Sequence, residues 1–400
     1  MRDKIMTIRL IVIVLVLLNI SCSKNKIENK IHFEYDGYIY VEMRISDTIR
    51  GKFIFDTGAS DLYLDSTFVA NTSIQSLKTE DTRIGGAGNA GYRTIPLITD
   101  IIPFSLGNNV FYSTKTPILD LSGFNDDDIA GIIGINFFKK NILNINFSEK
   151  YLSILDSTTS ETIDLEAIDF SLIKNRIYID AKIIIDSTRT IFGSFEIDMG
   201  CADEVLLTNN TAKENALNEV NKKVSYFISE GGVSGVSSSG YDLRANDISI
   251  GNYTFKDIVI GYSNDTLGAL SKRDYLGLLG APLFSRFDLF IDFPNQKVFL
   301  NALPDLQKKS KSTITGFNGL RRSNGNDVFM VVNSIYKPSQ VQFAGLQIGD
   351  TIVGINGKRI KDYAKEEISE LLKTEDIILK LQIKNGIREK TIEFKTKEII

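Results

Sequence analysis

The sequence predicts a mainly β protein, with two pseudo-symmetric β-lobes followed by a smaller domain of strands and helices. Three observations carry this expectation. Short β-branched and aromatic runs recur from residue 31 to residue 303. The chain repeats a set of features at a near-constant offset. Its texture then changes after a polar stretch at 304–312 that reads as a linker.

The repeat is specific. Phe53-Ile54-Phe55-Asp56-Thr57-Gly58-Ala59-Ser60 is echoed by Phe195-Glu196-Ile197-Asp198-Met199-Gly200-Cys201-Ala202, with the acids 142 residues apart. Ile132-Ile133-Gly134 is echoed 146 residues on by Leu278-Leu279-Gly280. At the same offset of 146, Gly85-Gly86-Ala87-Gly88 answers Gly231-Gly232-Val233-Ser234-Gly235, and Asn146-Phe147 answers Asp292-Phe293. Four features in one order imply an internal duplication. In each copy an apolar run ends in an acid, and a glycine two residues later permits a sharp turn. Asp56 and Asp198 are therefore expected at the tips of buried strands, at the mouth of a cleft. Apolar packing there raises a carboxyl's pKa, which suits acid–base work.

Composition narrows the chemistry. A chain of 400 residues with 43% hydrophobic content suits two or three domains. A net charge of −4 and a pI near 5.4 argue against a nucleic-acid surface. The single histidine, His32, excludes a His-x-x-x-His zinc site and would have to serve any histidine triad. Carboxylate chemistry remains, and it needs no metal or organic cofactor.

Asp56-Thr57-Gly58-Ala59-Ser60 with Ile132-Ile133-Gly134 resembles the active-site lobe of a pepsin- or retropepsin-type aspartic protease. The run Leu278 to Phe284 through Ile291-Asp292-Phe293 resembles the closing part of the second lobe. The resemblance covers about residues 31–303, with lobes at 31–159 and 160–303. It implies an endopeptidase in which Asp56 and Asp198 share one proton and activate a water against a peptide bond of a polypeptide substrate. It also implies support from Thr57, Gly58, Ser60 and Gly200, with Ser60 orienting Asp56. Gly85, Gly86 and Tyr92 become candidates for a flap over the substrate. Thr or Ser usually follows each Asp and locks the two loops together. Thr57 fits this pattern, whereas Met199 lacks the hydroxyl. Two readings stay open: an endopeptidase with an asymmetric site, and a catalytically silent peptide-binding scaffold.

The N-terminus reads as a signal peptide. Arg2, Lys4 and Arg9 precede an apolar run from Leu10 to Leu18, then Asn19-Ile20-Ser21-Cys22. The ending resembles a bacterial lipoprotein processing site. It implies signal residues 1–22, lipid on Cys22, a tether over 23–30 and an extracytoplasmic, membrane-anchored place in the bacterial cell envelope. Cys201 then has no disulfide partner and is expected as a small buried thiol.

Along the lobes, strands are expected at Phe33 to Ile45, Gly51 to Phe55, Thr94 to Phe104 and Ile142 to Ile154. Beyond the linker, Val328 to Val332 reads as a strand and Pro338 to Leu346 as a short helix ending at Gly345. Ile348 to Gly357 reads as a strand with an Asn-Gly turn. Asp362 to Leu372 reads as an amphipathic helix with Ile368, Leu371 and Leu372 on one face, and two strands flank Asn385-Gly386. Gly345-Leu346-Gln347-Ile348-Gly349-Asp350 with Ile355-Asn356-Gly357 resembles a bacterial PDZ domain, placed at 313–400. That resemblance implies capture of a peptide or protein terminus as an added strand. The loop Gly316-Phe317-Asn318-Gly319-Leu320 is the candidate for holding the terminal carboxylate.

Overall fold

The computed structural model describes residues 30–86, 88–89, 91–124, 128–156, 165–229, 237–385 and 388–400. Cys22 and the glycine-rich segment 231–235 lie outside the described residues.

Each lobe is built around one parallel strand pair. In the N-lobe, Ile49–Phe55 runs parallel to Ile129–Ile133, with Ile54 opposite Ile132 and Phe55 opposite Ile133. In the C-lobe, Thr190–Asp198 runs parallel to Gly277–Gly280, with Glu196 opposite Leu278 and Ile197 opposite Leu279. A third strand pairs antiparallel in each case, Leu62–Asp65 and Val205–Leu207. The duplication is thus a duplication of topology. Alternation decides the faces: Phe53 and Phe55 enter the main core, while Ile54 faces a separate cluster with Tyr40, Ala59, Leu119, Leu121, Phe124 and Ile132. Full burial of one such phenylalanine stabilises by about 1.5–3 kcal/mol.

The lobes join through a sheet at their base. Ile142–Asn146 pairs antiparallel with Phe287–Asp292, Leu143 lying opposite Ile291. The strands Tyr151–Leu155 and Lys297–Ala302 continue it on either side.

Three expected strands are interrupted. The first divides into Ile31–Tyr35 and Ile39–Ile45 around Asp36-Gly37, where Gly37 has φ +80°. The second divides into Arg93–Ile98 and Ile102–Leu106. The third is a hairpin, Ile142–Asn146 and Tyr151–Leu155, turned at Lys150 with φ +57°. The Asn146 side chain holds that turn by accepting from the Ser148 hydroxyl and the Glu149 N–H. Short helices not expected from the sequence stand at Ser66–Ala70, Asn209–Glu214 and Ala281–Phe284. Ser66–Ala70 is capped by Asp65, which accepts from Thr67 and Phe68, and Asn209–Glu214 is capped by Thr208.

The C-terminal domain has its own core, including Phe317, Met330, Ile352, Ile355, Ile368, Leu379 and Phe394. Its amphipathic helix runs Lys365–Lys373, so the expected start at Asp362 is corrected. Asp362 instead ends a short 3-10 turn, and Glu367 satisfies the Ala364 N–H at the helix start. The domain is joined to the C-lobe by backbone pairing: Val224–Ser229 runs antiparallel to Asp327–Lys337, from Tyr226 opposite Lys337 to Ser229 opposite Ser334. The connecting segment is packed, with Ser310 and Ser312 buried. Arg244 of the C-lobe binds the Ser310 carbonyl, Glu398 and the Ile400 carbonyl.

Candidate active site

Strand pairing delivers the two acids to one place. Asp56 follows the last residue of its strand and Asp198 closes its own. The Asp56 N–H bonds the Ile133 carbonyl. In each loop the glycine N–H returns to the acid: Gly58 N to Asp56 Oδ1 at 2.6 Å and Gly200 N to Asp198 Oδ1 at 2.9 Å. Both acids are half-buried.

The loops face each other closely. A Cβ on Gly58 would come within 2.6 Å of Asp198 Cγ, and one on Gly200 within 2.6 Å of Asp56 Oδ1. Only glycine leaves room for the opposite carboxyl at these two positions. Burial first, and then the negative charge of Asp56, push the Asp198 carboxyl well above the usual carboxylate range. A side-chain hydrogen bond with Asp56 favours the protonated Asp198 further.

Thr57 is fully buried and bridges the loops. Its hydroxyl donates to the Ile197 carbonyl at 2.7 Å and accepts from the Met199 N–H at 2.9 Å. Met199 is fully buried in the main core. One threonine therefore makes both bonds available from its side, and an apolar side chain stands where its twin would be. Thr57→Val keeps the volume but strands the Met199 N–H. The expected result is a loss of about 1–3 kcal/mol, read as a lower midpoint in urea unfolding.

Ser60 does not bear out the orienting role. Among the described residues, its hydroxyl makes no bond to Asp56, which is held instead by the Gly58 N–H. Cys201 is buried beside the dyad, and burial pushes its thiol well up.

Thr79–Ile84 and Arg93–Ile98 form a hairpin, with Thr79 opposite Ile98 and Ile84 opposite Arg93. Its tip docks on the C-lobe. The Gly86 carbonyl accepts from Ala269 N at 3.1 Å, and Asn89 Oδ1 accepts from the N–H groups of Thr266 and Leu267. The candidate flap thus bridges the lobes through Gly86 and Asn89. Tyr92 is 72% exposed and lies against Arg83. Gly85 packs beside the Tyr92 ring.

Two residues missed by sequence reasoning stand near the acids. Glu196 is two residues before Asp198 on the same strand, and hence on the same face. It pairs with Arg176 at 3.4 Å. Burial drives the Glu196 carboxyl up to about 7, Arg176 opposes this, and Asp56 adds to it. The N-lobe has Ile54 at the corresponding place, paired with Tyr40 as Glu196 is paired with Tyr178.

Residues 41–137 match the family model for aspartyl proteases. The matched segment carries Asp56 and ends before Asp198. Residues 305–384 match the PDZ domain. No curated protein matches the chain. The chain therefore combines an aspartyl protease-type domain with a C-terminal PDZ domain.

In the PDZ domain the candidate carboxylate loop is drawn into structure. Phe317 is buried in the domain core, and Phe317–Asn324 is a strand paired with Asp327–Lys337. Gly316 has φ +79° and lies against Ser339, and its N–H bonds the Thr313 hydroxyl. Gly319 packs on Met330, and Leu320 is half-buried. A cavity of about 920 Å³ lies between the N-lobe and this domain. It is lined by Tyr35, Asp36 and Lys52 on one side and by Arg321, Arg322 and Lys365 on the other. Arg322 reaches the Ser122 and Phe124 carbonyls, and Lys365 reaches Asp36 at 3.9 Å.

Proposed function

We propose that this chain is an aspartic endopeptidase. The observation that carries the reading is the close-set pair Asp56–Asp198, each carboxyl against the other loop's glycine, delivered by duplicated strands and accompanied by a hairpin that bridges the lobes. Two carboxyls this close cannot both ionise, so the pair shares one proton. The ionised member takes a proton from a water, whose oxygen attacks the peptide carbonyl carbon. The protonated member hydrogen-bonds the carbonyl oxygen as it gains charge. Collapse of the tetrahedral intermediate then breaks the C–N bond as a proton passes to the leaving amine. The two bonds from Thr57 support this reading over a silent scaffold, because they lock the loops without help from residue 199. Peptide-library cleavage by purified residues 23–400 between about pH 3 and 8 tests the proposal. The expected result is cleavage, strongest at acidic pH. A library left intact throughout would overturn it.

The PDZ domain, in this proposal, holds a peptide or protein terminus along Phe317–Asn324 beside the helix Lys365–Lys373. The cavity shared with the N-lobe supports that placement. The N-terminal segment anchors the protein through lipid on Cys22 in the cell envelope. Cys22→Ser is expected to move the protein from the membrane fraction to the soluble one. Retention of a signal-cleaved variant on membranes counts against the anchor.

A further inference from the structure

The strand registers of the C-lobe place seven residues in one transverse row: Tyr178, Glu196, Leu278, Leu206, Gly261, Asp242 and Ser225. Directly paired residues present their side chains to the same face of a sheet. That face is the one on which Asp198 stands, two residues beyond Glu196. The matching N-lobe row, Tyr63, Ile132, Ile54 and Tyr40, continues to an exposed acid, Glu34, that pairs with Lys52. The C-lobe row carries two, and they differ in their surroundings. Glu196 has Arg176. Asp242 has no cation within ion-pair distance among the described residues, and neither has Asp203, whose charge acts on it.

The surroundings of Asp242 form a recess. Gly261, opposite it, leaves space for the carboxyl: a Cβ there would lie 3.2 Å from Asp242 Oδ1. Tyr336 of the PDZ domain closes the far side. It pairs with Phe227, their rings 5.9 Å apart, and feels the charges of both Asp242 and Asp203. Ser225, the strand partner of Asp242 on the same face, is 1% exposed, and its hydroxyl makes no hydrogen bond. A buried hydroxyl without a partner beside two acids without a cation is a site that lacks its ligand. Burial, and then the charge of Asp203, push the Asp242 carboxyl well above the usual carboxylate range.

We propose that this recess is a substrate subsite for a cationic side chain, lysine or arginine. Asp242 and Asp203 supply the negative charge and Ser225 accepts an N–H, while Tyr336 and Phe227 cover the aliphatic stem. The inference rests on the endopeptidase reading and adds a substrate class to it. Four strand pairings separate the Asp198 strand from the Asp242 strand, in a sheet that closes where Lys182, Ile183 and Ile184 pair with Ser249, Ile248 and Asp247, so the recess stands apart from the dyad. The selected residue therefore lies several positions from the scissile bond.

The test is a peptide series in which Lys, Arg or Gln is placed in turn at each of about six positions on either side of the cleaved bond. Wild type is expected to cleave the Lys or Arg peptide about tenfold faster than its Gln twin at one position. Asp242→Asn should bring that ratio close to one, and Asp242→Glu should restore part of it. If Asp242→Asn does not fold, Asp203→Asn carries the same measurement. Efficient cleavage with no Lys-over-Gln preference at any position overturns the subsite and leaves the endopeptidase reading standing. If nothing is cleaved, fluorescence anisotropy of the same labelled peptides on wild type decides the recess alone. Equal affinity for Lys and Gln peptides then overturns it.

Discussion

Asp56→Asn and Asp198→Asn are each expected to reduce peptide cleavage by about 10³-fold or more while leaving the fold intact. The reason lies in the geometry of the pair. Each carboxyl is hydrogen-bonded within its own loop, and each faces the other loop's glycine. An amide keeps that shape but neither ionises nor passes on the shared proton. Since the acids act as one unit, the double variant should be hardly worse than either single one. The pH profile follows from the same pair. Asp198 is raised by burial and by the Asp56 charge, so the singly protonated pair persists to higher pH than an isolated carboxyl would. Activity should then fall as pH rises through the upper apparent pKa of the pair. Circular dichroism confirms the fold, and steady-state cleavage gives the loss. A single variant that retains near wild-type kcat/KM would sink the dyad.

The second large effect concerns stability. Arg286 is 1% exposed and pairs with Glu204 at 2.6 Å. The same guanidinium donates to the Leu306 and Lys308 carbonyls and stacks over Phe255. It thereby ties the segment leading out of the C-lobe to the lobe's interior. Arg286→Ala leaves Glu204 with a buried charge, two carbonyls without their donor and a large void. The expected cost is about 3–5 kcal/mol, read as a fall in the denaturation midpoint or as insoluble expression. Arg286→Lys should recover only part, because an ammonium cannot reproduce the fork. A loss under about 1 kcal/mol would show the pair to be dispensable.

The sequence displayed the acids and the duplicated strands because each copy combines an apolar run, an acid and a turn glycine within eight residues. Glu196 and Arg176 stayed hidden for the opposite reason. One charged residue in a strand ordinarily marks the solvent face, and only the tertiary pairing reveals that this face lines the cleft. Asp242 and Ser225 are likewise unremarkable in sequence until strand pairing sets them side by side, in one row with Glu196. The candidate flap hairpin is legible through its glycines, but its anchor, Asn89, has no local signature. Its partners lie about 177 residues away. In the sequence Met199 stands as a missing hydroxyl. Within the fold it fills the core while Thr57 holds both loops.

The pairing of Val224–Ser229 with Asp327–Lys337 carries a consequence for how the molecule can be divided. A strand that ends a sheet offers unsatisfied N–H and C=O groups to any extended chain nearby, and is a seed for aggregation. Here each domain supplies the cover for the other. A chain truncated before the PDZ domain would bare the C-lobe hairpin, with Tyr226, Phe227 and Ile228 along it. Such a truncation should self-associate before any change in recruitment could be measured. The PDZ domain is in this sense a lid on a sticky margin.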